Sequence, residues 1–197
     1  MFQVAWKWGL PCITTERLTL RIGDVADVDS EIAFYRENEE HFRPWYPDNS
    51  NLHLNRSAMR RYVPELRRRA LGDQGYRFRI SRKEEPSKFA GLVSLSRIQR
   101  GSEQSAVLGY GIAKDLEGQG YMSESVRATV RFAFEVLDLH RLEAYYATNN
   151  ERSGYVLKAC GFEMEGTKRG MLRVNGIWID HIMAAKINPE WKGGQWR

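Results

Sequence analysis

The sequence predicts one α/β domain with a mixed, mostly antiparallel central sheet flanked by helices. Two observations lead to this fold class. Segments of alternating apolar and polar residues are interleaved with segments of helical periodicity, in the order β, α, α, β, β, β, α, β, α, β, β. The 197 residues contain no internal repeat, low-complexity tract or change of composition that would mark a linker. We therefore expect a single domain over residues 1–197, with a core at about 14–188 and short terminal tails.

Each element follows from a local pattern. Residues 17–22 alternate apolar and polar side chains, which is typical of a half-buried strand. Aspartates followed by apolar residues at helical spacing predict a helix from Asp27 to Glu40. Pro64 is expected to bend or split a second helix at 55–71. The remaining predicted elements are three strands of an antiparallel meander (76–83, 89–99 and 106–114), a helix at 121–137, a strand at 141–148, a helix at 152–160 and strands at 162–172 and 177–187.

The composition excludes several classes of protein. With 42% hydrophobic and 28% charged residues, the chain has enough apolar material for a core and is not expected to be disordered. Cys12 and Cys160 are too few for a disulfide scaffold, and the four scattered histidines do not indicate a structural metal site. No apolar stretch approaches the roughly 20 residues that a bilayer requires. We expect a soluble, cytoplasmic protein without membrane contact.

The charge is unevenly distributed along the chain. Residues 55–71 carry six arginines against Glu65 alone, whereas residues 24–40 carry seven acidic residues against Arg36. Charge runs of this kind are usually solvated helix faces. Contact with a polyanion such as RNA, or with a basic partner, is the alternative interpretation.

Glycines precede the long helix in the segment 117–123, which reads EGQGYMS. Such glycines let a ligand approach the backbone closely, and the free N–H groups of the first helical turn attract phosphate. The spacing matches neither the P-loop nor the dinucleotide pattern G-x-G-x-x-G, so it does not indicate a nucleoside triphosphate or a nicotinamide. A plain capped turn is the alternative explanation.

This segment and a second block, Asn150 to Phe162, together resemble the GCN5-related N-acetyltransferase (GNAT) superfamily. The first block corresponds to R/Q-x-x-G-x-G/A, with Glu117 in place of the basic or amide residue and Met122 in place of the last small one. The second corresponds to N-x-x-A/S-x-x-L/V-Y/L-x-x-x-G-F. Within the superfamily the chain is similar to the RimJ and RimL group of ribosomal-protein alanine N-acetyltransferases, through TTERLTLR, PWYP, GQGYMSES, LHRLEAY and NGIWIDHIM.

The resemblance implies a GNAT-type fold in which two neighbouring strands splay apart and hold acetyl-CoA, without any metal. Because an acid repels a pyrophosphate, the Glu117 side chain is expected to point away from it. The expected pyrophosphate contacts are the backbone amides of Gly118, Gln119, Gly120, Tyr121, Met122 and Ser123. The expected pantetheine contacts are the backbone of Gly111, Ile112 and Ala113 and the side chain of Asn150.

The same resemblance assigns Ser153 and Asn150 to catalysis. The Ser153 hydroxyl is expected near the thiol, where it donates to the departing thiolate as a general acid, and a helix N-cap is the alternative role. Leu157 stands where many relatives carry an acid tyrosine, and Cys160 is expected to pack in the core. The acceptor side is expected to be covered by Phe42, Trp45, Tyr46 and Tyr110, with closure of the core as the alternative role of the first three.

The implied reaction is direct transfer of the acetyl group from acetyl-CoA to an amine. An α-amino group has a pKa near 8 and a lysine near 10.4, so an α-amine offers more neutral nucleophile at pH 7. We therefore expect a protein N-terminus, that of a ribosomal protein, as acceptor, with ribosomal RNA as a further candidate partner. Two alternatives stay open: acetylation of a small amine (polyamine, amino acid or aminoglycoside), and RNA binding with minor catalysis. Monomer and homodimer are both compatible with the sequence.

Overall fold

A nine-stranded mixed sheet forms the centre of the protein. The computed structural model describes residues 2–47 and 55–193. The strands are β1 (Gln3–Lys7), β2 (Leu10–Thr14), β3 (Leu18–Ile22), β4 (Tyr76–Arg82), β5 (Gly91–Gln99), β6 (Ser105–Ile112), β7 (Arg141–Ala147), β8 (Glu163–Val174) and β9 (Ile177–Ile187). Their order is β1-β2-β3-β4-β5-β6-β7-β9-β8, and β6 and β7 are the parallel neighbours in it. The predicted fold class, mixed and mostly antiparallel, is confirmed.

Five helices lie in the described ranges: α1 (Val28–Glu37), α2 (Glu39–Phe42), α3 (Arg56–Leu71), α4 (Tyr121–Arg131) and α5 (Glu151–Ala159). A wider, π-type turn at Phe132–Val136 continues α4. The helix predicted at 27–40 is interrupted at Asn38, whose amide donates to the Phe34 carbonyl (2.9 Å) and accepts from the Lys114 N–H (2.8 Å). Among the described residues, no helix is both long enough and apolar enough to cross a membrane.

Pro64 does not split α3, although a bend or a split was expected from the sequence. The helix runs from Arg56 to Leu71 with Pro64 inside it. Pro64 and Arg60, the residue one turn before it, are both exposed. The helix turn that contains Pro64 therefore lies on the solvent side of α3, where water replaces the backbone donor that proline lacks.

Strands β1 and β2 precede the first strand that the sequence predicted. A two-residue turn joins them, with left-handed conformations at Trp8 (φ 56°) and Gly9 (φ 74°), and this geometry suits a tight hairpin. β1 is an edge strand whose residues are mostly exposed on both faces. A strand with two exposed faces does not show the alternation from which a strand is predicted, so β1 carries no strand signal in the sequence.

The parallel pair β6 and β7 splays apart along its length. Ser105 to Leu108 pair with Arg141 to Ala144, and the pairing ends there. Beyond that point β6 continues to Ile112 against β5, while β7 continues to Ala147 against β9. The two strands therefore diverge and leave a gap between their carboxyl ends, as the predicted fold requires.

The acidic segment 24–40 and the arginine-rich helix α3 neutralise each other in part. Arg56 pairs with Asp29 (2.6 Å), and Arg67 pairs with Asp24 (3.0 Å). Other acids of the segment pair with strand arginines, namely Asp27 with Arg21 and Arg79, and Glu31 with Arg77. Much of the opposite charge is therefore used inside the fold, as expected for helix faces rather than for a free charged tail.

Candidate active site

The glycine turn before α4 has the backbone geometry of an anion site. Gly118 (φ 73°) and Gly120 (φ 78°) are both left-handed, and Gly120 is the N-cap residue of α4. The first N–H groups of a helix have no intrahelical partner, and here these are the N–H groups of Tyr121, Met122 and Ser123. The N-cap glycine has no side chain that could accept from them. A Cβ placed on Gly118 would meet no atom within 4 Å. The turn thus presents several N–H groups beside open space, which suits a phosphate.

An ion pair that no sequence pattern predicted anchors this turn. Arg17, just before β3, donates through Nε to Glu124 Oε2 (2.7 Å) and through Nη1 to the Gln119 carbonyl (3.0 Å). Thr15 Oγ also donates to Glu124 (2.6 Å). Burial would raise the pKa of Glu124, but the hydrogen bonds from Thr15 and Arg17 outweigh it and hold the pKa below its ordinary value. Glu124 therefore has a structural role, and Arg17 ties the glycine turn to the sheet.

Glu117 is unusual at its motif position, and its negative charge is balanced by neighbouring side chains. Arg152 at the start of α5 donates to it at 2.7 Å, and His41 Nε2 of α2 lies 3.6 Å from it. The side chains of Tyr121 and Met122, by contrast, are buried in the core. The larger residue at position 122 thus fills core space and adds no bulk to the turn.

The gap between β6 and β7 exposes backbone groups of β6. Ala113 N–H donates to the Ala90 carbonyl (2.9 Å). This bond shows which alternate residues of β6 direct their backbone groups to β5. By that alternation Gly111 also bonds to β5, whereas the N–H and C=O of Tyr110 and Ile112 point toward β7. Of the three predicted backbone contacts, Ile112 therefore directs its groups into the gap, and Gly111 and Ala113 direct theirs to β5.

The two residues predicted for catalysis meet at the start of α5. Asn150 is the N-cap of the helix, and its Oδ1 accepts from Ser153 N–H (3.2 Å). The alternative role considered for Ser153, that of the cap, therefore belongs to Asn150. The Ser153 hydroxyl instead lies 2.7 Å from the phenol oxygen of Tyr110, which also donates to the Ser153 carbonyl (2.9 Å).

The aromatic residues predicted for the acceptor side separate into two groups. Phe42 and Tyr46 stack face to face (4.8 Å between centroids, 8° between planes) and lie over Gly111, where a Cβ would approach them to 3.3–3.4 Å. Trp45, which lies between these two residues in the sequence, is half-buried. Tyr110 points to the other face of β6, toward α5, because successive side chains of a strand alternate. The gap is thus covered by aromatic rings on one face and by α5 on the other.

Cys160 is buried at the end of α5, and its thiol contacts the Ser123 carbonyl (3.5 Å). Burial raises the pKa of Cys160, so the thiol stays protonated at neutral pH. Its expected place in the core is confirmed. Within residues 2–47 and 55–193, no group of three or more His, Cys, Asp or Glu side chains is arranged to hold a metal ion.

The fold and this site define an acetyl-CoA-dependent N-acetyltransferase. A family profile described as "Acetyltransferase (GNAT) domain" matches residues 17–163. The chain belongs to this family, and the resemblance found in the sequence is confirmed.

Individual relatives match over nearly the full length. The "[Ribosomal protein uS5]-alanine N-acetyltransferase" of Escherichia coli is 30% identical over 183 residues, which cover 93% of this chain and 94% of the relative. The "Probable N-acetyltransferase YjcK" of Bacillus subtilis is 34% identical over 167 residues, 85% of this chain and 92% of the relative. The crystal structure of a ribosomal-protein-S5-alanine acetyltransferase from Vibrio fischeri superimposes with a TM-score of 0.86 at 30% identity, covering 92% of this chain and 98% of that one.

Proposed function

We propose that the acceptor is the N-terminal α-amino group of a ribosomal protein. The observation that carries this proposal is the 30% identity to the uS5-alanine enzyme of Escherichia coli, which extends over 93% of this chain and 94% of that protein. A match of this extent includes the acceptor side as well as the donor-binding half. We further propose that the whole chain, residues 1–197, acts as one catalytic domain.

In this proposal the donor occupies the glycine turn and the gap. The amides of Gly118 to Ser123 bind the pyrophosphate, because an uncapped helix start and left-handed glycines offer several donors to one anion. The pantetheine arm runs along Ile112, whose backbone groups face the gap, and meets the amide nitrogen of Asn150. Gly111 carries no side chain, so the rings of Phe42 and Tyr46 lie directly on the strand, and Ala113 follows the last residue of β6.

The transfer step needs positioning more than a strong base. The neutral α-amine attacks the thioester carbonyl, the C–S bond breaks, and the thiolate leaves toward Ser153. An α-amine with a pKa near 8 is about one-tenth neutral at pH 7, whereas a lysine with a pKa near 10.4 is about one part in 2,500 neutral. The proton that the amine nitrogen loses passes through water, and the thiol recovers one from the same solvent.

The charges near the aromatic pair favour a peptide over a polycationic small amine. Glu31 is almost fully buried and paired with Arg77, which also donates to Tyr35 beside Tyr46, so Glu31 has no free charge for a polyamine. Phe42, Trp45 and Tyr46 present an apolar cover that suits a short N-terminal side chain such as alanine. Contact of ribosomal RNA with the exposed arginines of α3, Arg60 and Arg61, stays a prediction.

A panel of acceptors assayed for CoA release tests the proposal. It contains peptides with free N-terminal Ala, Ser or Met, the same peptides with a blocked N-terminus and an internal lysine, and spermidine. We expect the free N-terminal Ala and Ser peptides to be turned over at least tenfold faster than the others. Mass spectrometry of ribosomal proteins from cells with and without the gene identifies the acceptor. Efficient turnover of spermidine with no change in any ribosomal N-terminus would refute it.

A further inference from the structure

A buried tyrosine on β6 contacts the hydroxyl proposed to receive the leaving group. The phenol oxygen of Tyr110 lies 2.7 Å from Ser153 Oγ and 2.9 Å from the Ser153 carbonyl oxygen. The two residues are 43 positions apart in the sequence. Their contact joins the diverging strand to the first turn of α5.

The protons that the phenol and the Ser153 hydroxyl carry limit which oxygen donates and which accepts in this contact. A carbonyl oxygen accepts only, so the phenol is its donor. When the phenol donates to that carbonyl, the Ser153 hydroxyl turns toward the phenol oxygen. When the phenol donates to Oγ instead, the proton of Ser153 is free to point to a third group. The single phenol proton thus selects between a resting and a donating orientation of Ser153.

The surroundings keep Tyr110 in the protonated form and hold Ser153 in place. Burial raises the pKa of Tyr110, so the phenol is a donor throughout the neutral range. Next to Ser153, a Cβ on Gly154 would lie 3.0 Å from the Tyr146 ring. The absence of a side chain there lets β7 pack closely against the first turn of α5. Ser153 is therefore held at a fixed distance from the sheet.

We propose that Tyr110 is a positioning residue that orients the Ser153 hydroxyl and strengthens it as a hydrogen-bond donor to the departing thiolate. This inference rests on the proposed function, because it requires the thiolate to leave at Ser153. A serine hydroxyl is a much weaker acid than a thiol, so it stabilises a thiolate mainly by donating a hydrogen bond. A hydroxyl that itself accepts a hydrogen bond is a stronger donor, since the two bonds polarise each other.

Without the phenol, Ser153 has competing partners. A serine in the first turn of a helix readily bonds to nearby backbone groups, and its hydroxyl rotates freely to do so. When the phenol donates to Oγ, Tyr110 removes this competition, because it then occupies one lone pair of Oγ and the Ser153 proton points away from the phenol. The stronger hydrogen bond from Ser153 matters when negative charge develops on sulfur in the transition state. Tyr110 therefore affects turnover and not acetyl-CoA affinity.

Steady-state kinetics of four proteins test the role of Tyr110: wild type, Tyr110→Phe, Ser153→Ala and the double variant. Tyr155→Phe is the matched control, because Tyr155 lies on the same helix and is 68% exposed. We expect Tyr110→Phe to lower kcat about tenfold, which is less than the loss of a general acid itself would cost, with the KM for acetyl-CoA changed less than about twofold. The double variant should be no slower than Ser153→Ala, since Tyr110 acts through Ser153. Tyr155→Phe should match wild type.

Any of three results would overturn the inference. One is additive losses in the double variant, which would mean that Tyr110 and Ser153 act independently. The others are a kcat equal to wild type and a loss of acetyl-CoA affinity in calorimetry that parallels the loss of turnover, since a merely structural contact would produce either. Failure of the wild type to release CoA with any acceptor would instead refute the proposed function.

Discussion

The carboxylate of Glu124 in α4 and the guanidinium of Arg17 before β3 form an ion pair with 2.7 Å between Nε and Oε2. Arg17 also holds the Gln119 carbonyl, so a residue at the start of the sheet restrains the turn proposed to bind the pyrophosphate. The conformation of the turn thus depends on a contact that spans 107 positions in the sequence.

Arg17→Ala should therefore weaken acetyl-CoA binding. Loss of the guanidinium releases the turn, and we expect the Kd from calorimetry to rise about tenfold, which is about 1.4 kcal/mol. Arg131→Ala is the control, because Arg131 forms an ion pair with Glu135 at the far end of the same helix. It should leave the Kd unchanged. Equal effects of the two substitutions would argue for a general loss of charge.

Gly120→Val should abolish acetyl-CoA binding in a folded protein. A β-branched residue is strained at φ 78°, and its Cβ would lie 3.4 Å from Nη2 of Arg17, the residue that holds the turn. We expect the Kd to rise more than about a hundredfold by calorimetry. Gly101→Val introduces comparable strain at φ 68° in the turn between β5 and β6. Its thermal unfolding should shift similarly while binding is retained, and normal binding by Gly120→Val would mean that the pyrophosphate lies elsewhere.

Asn150→Ser should separate the two roles of Asn150. Serine keeps an oxygen that caps α5, but it removes the amide nitrogen proposed to bind pantetheine. We expect the melting temperature to stay within about 2 °C of wild type and the KM for acetyl-CoA to rise about fivefold. Asn150→Ala, which loses both groups, should also lower the stability by about 1 kcal/mol. An unchanged KM in Asn150→Ser would limit Asn150 to capping.

Ser153→Ala should lower kcat by about tenfold to a thousandfold with little change in acetyl-CoA affinity. The helix itself should be unaffected, because its cap is Asn150 and the Ser153 N–H remains. Ser96→Ala, an exposed serine on β5, is the control. Steady-state kinetics with a free N-terminal Ala peptide give the result. A turnover equal to that of Ser96→Ala would remove Ser153 from the mechanism.

Asp27→Asn should make the protein less stable at pH 7 and less sensitive to acid. Burial raises the pKa of Asp27, but hydrogen bonds from Arg21 and the Asp24 N–H, together with the charge of Arg79, hold it below its ordinary value. The carboxylate therefore contributes stability above about pH 4, and this contribution is lost as the pH falls through the lowered pKa. We expect a loss of about 3 kcal/mol at pH 7 from breaking a largely buried pair.

Urea unfolding at pH 7 and pH 3 measures the Asp27 effect. The free energy of unfolding of wild type should fall more between these pH values than that of Asp27→Asn. Asp29→Asn is the control, because the ion pair of Asp29 with Arg56 is exposed and should contribute at most about 1 kcal/mol. Parallel pH dependence of wild type and Asp27→Asn would contradict the assignment.

The sequence alone determined most of the elements and the two blocks of the candidate site. The meander, the long helix and the last two strands were predictable, because their apolar residues recur at the period of the element. The glycine turn and the block at Asn150 were also readable, since each is a local signal of a few residues. Strand β1 was missed because an exposed edge strand gives no alternation, and β2 was missed because its five residues include Pro11, which argues against a strand. Of the bend or split expected at Pro64, the split is wrong, since α3 continues through this exposed residue.

Only the tertiary structure decided which of these residues act together. Strand order and register determine three features of the site: the ion pair between Arg17 and Glu124, the contact of Tyr110 with Ser153, and the direction of the Ile112 backbone groups. These are set by packing between segments far apart in the chain, for which a local pattern carries no signal. Tyr110 is the plainest case, because the alternation of side chains on β6 turned it from the expected acceptor side toward α5.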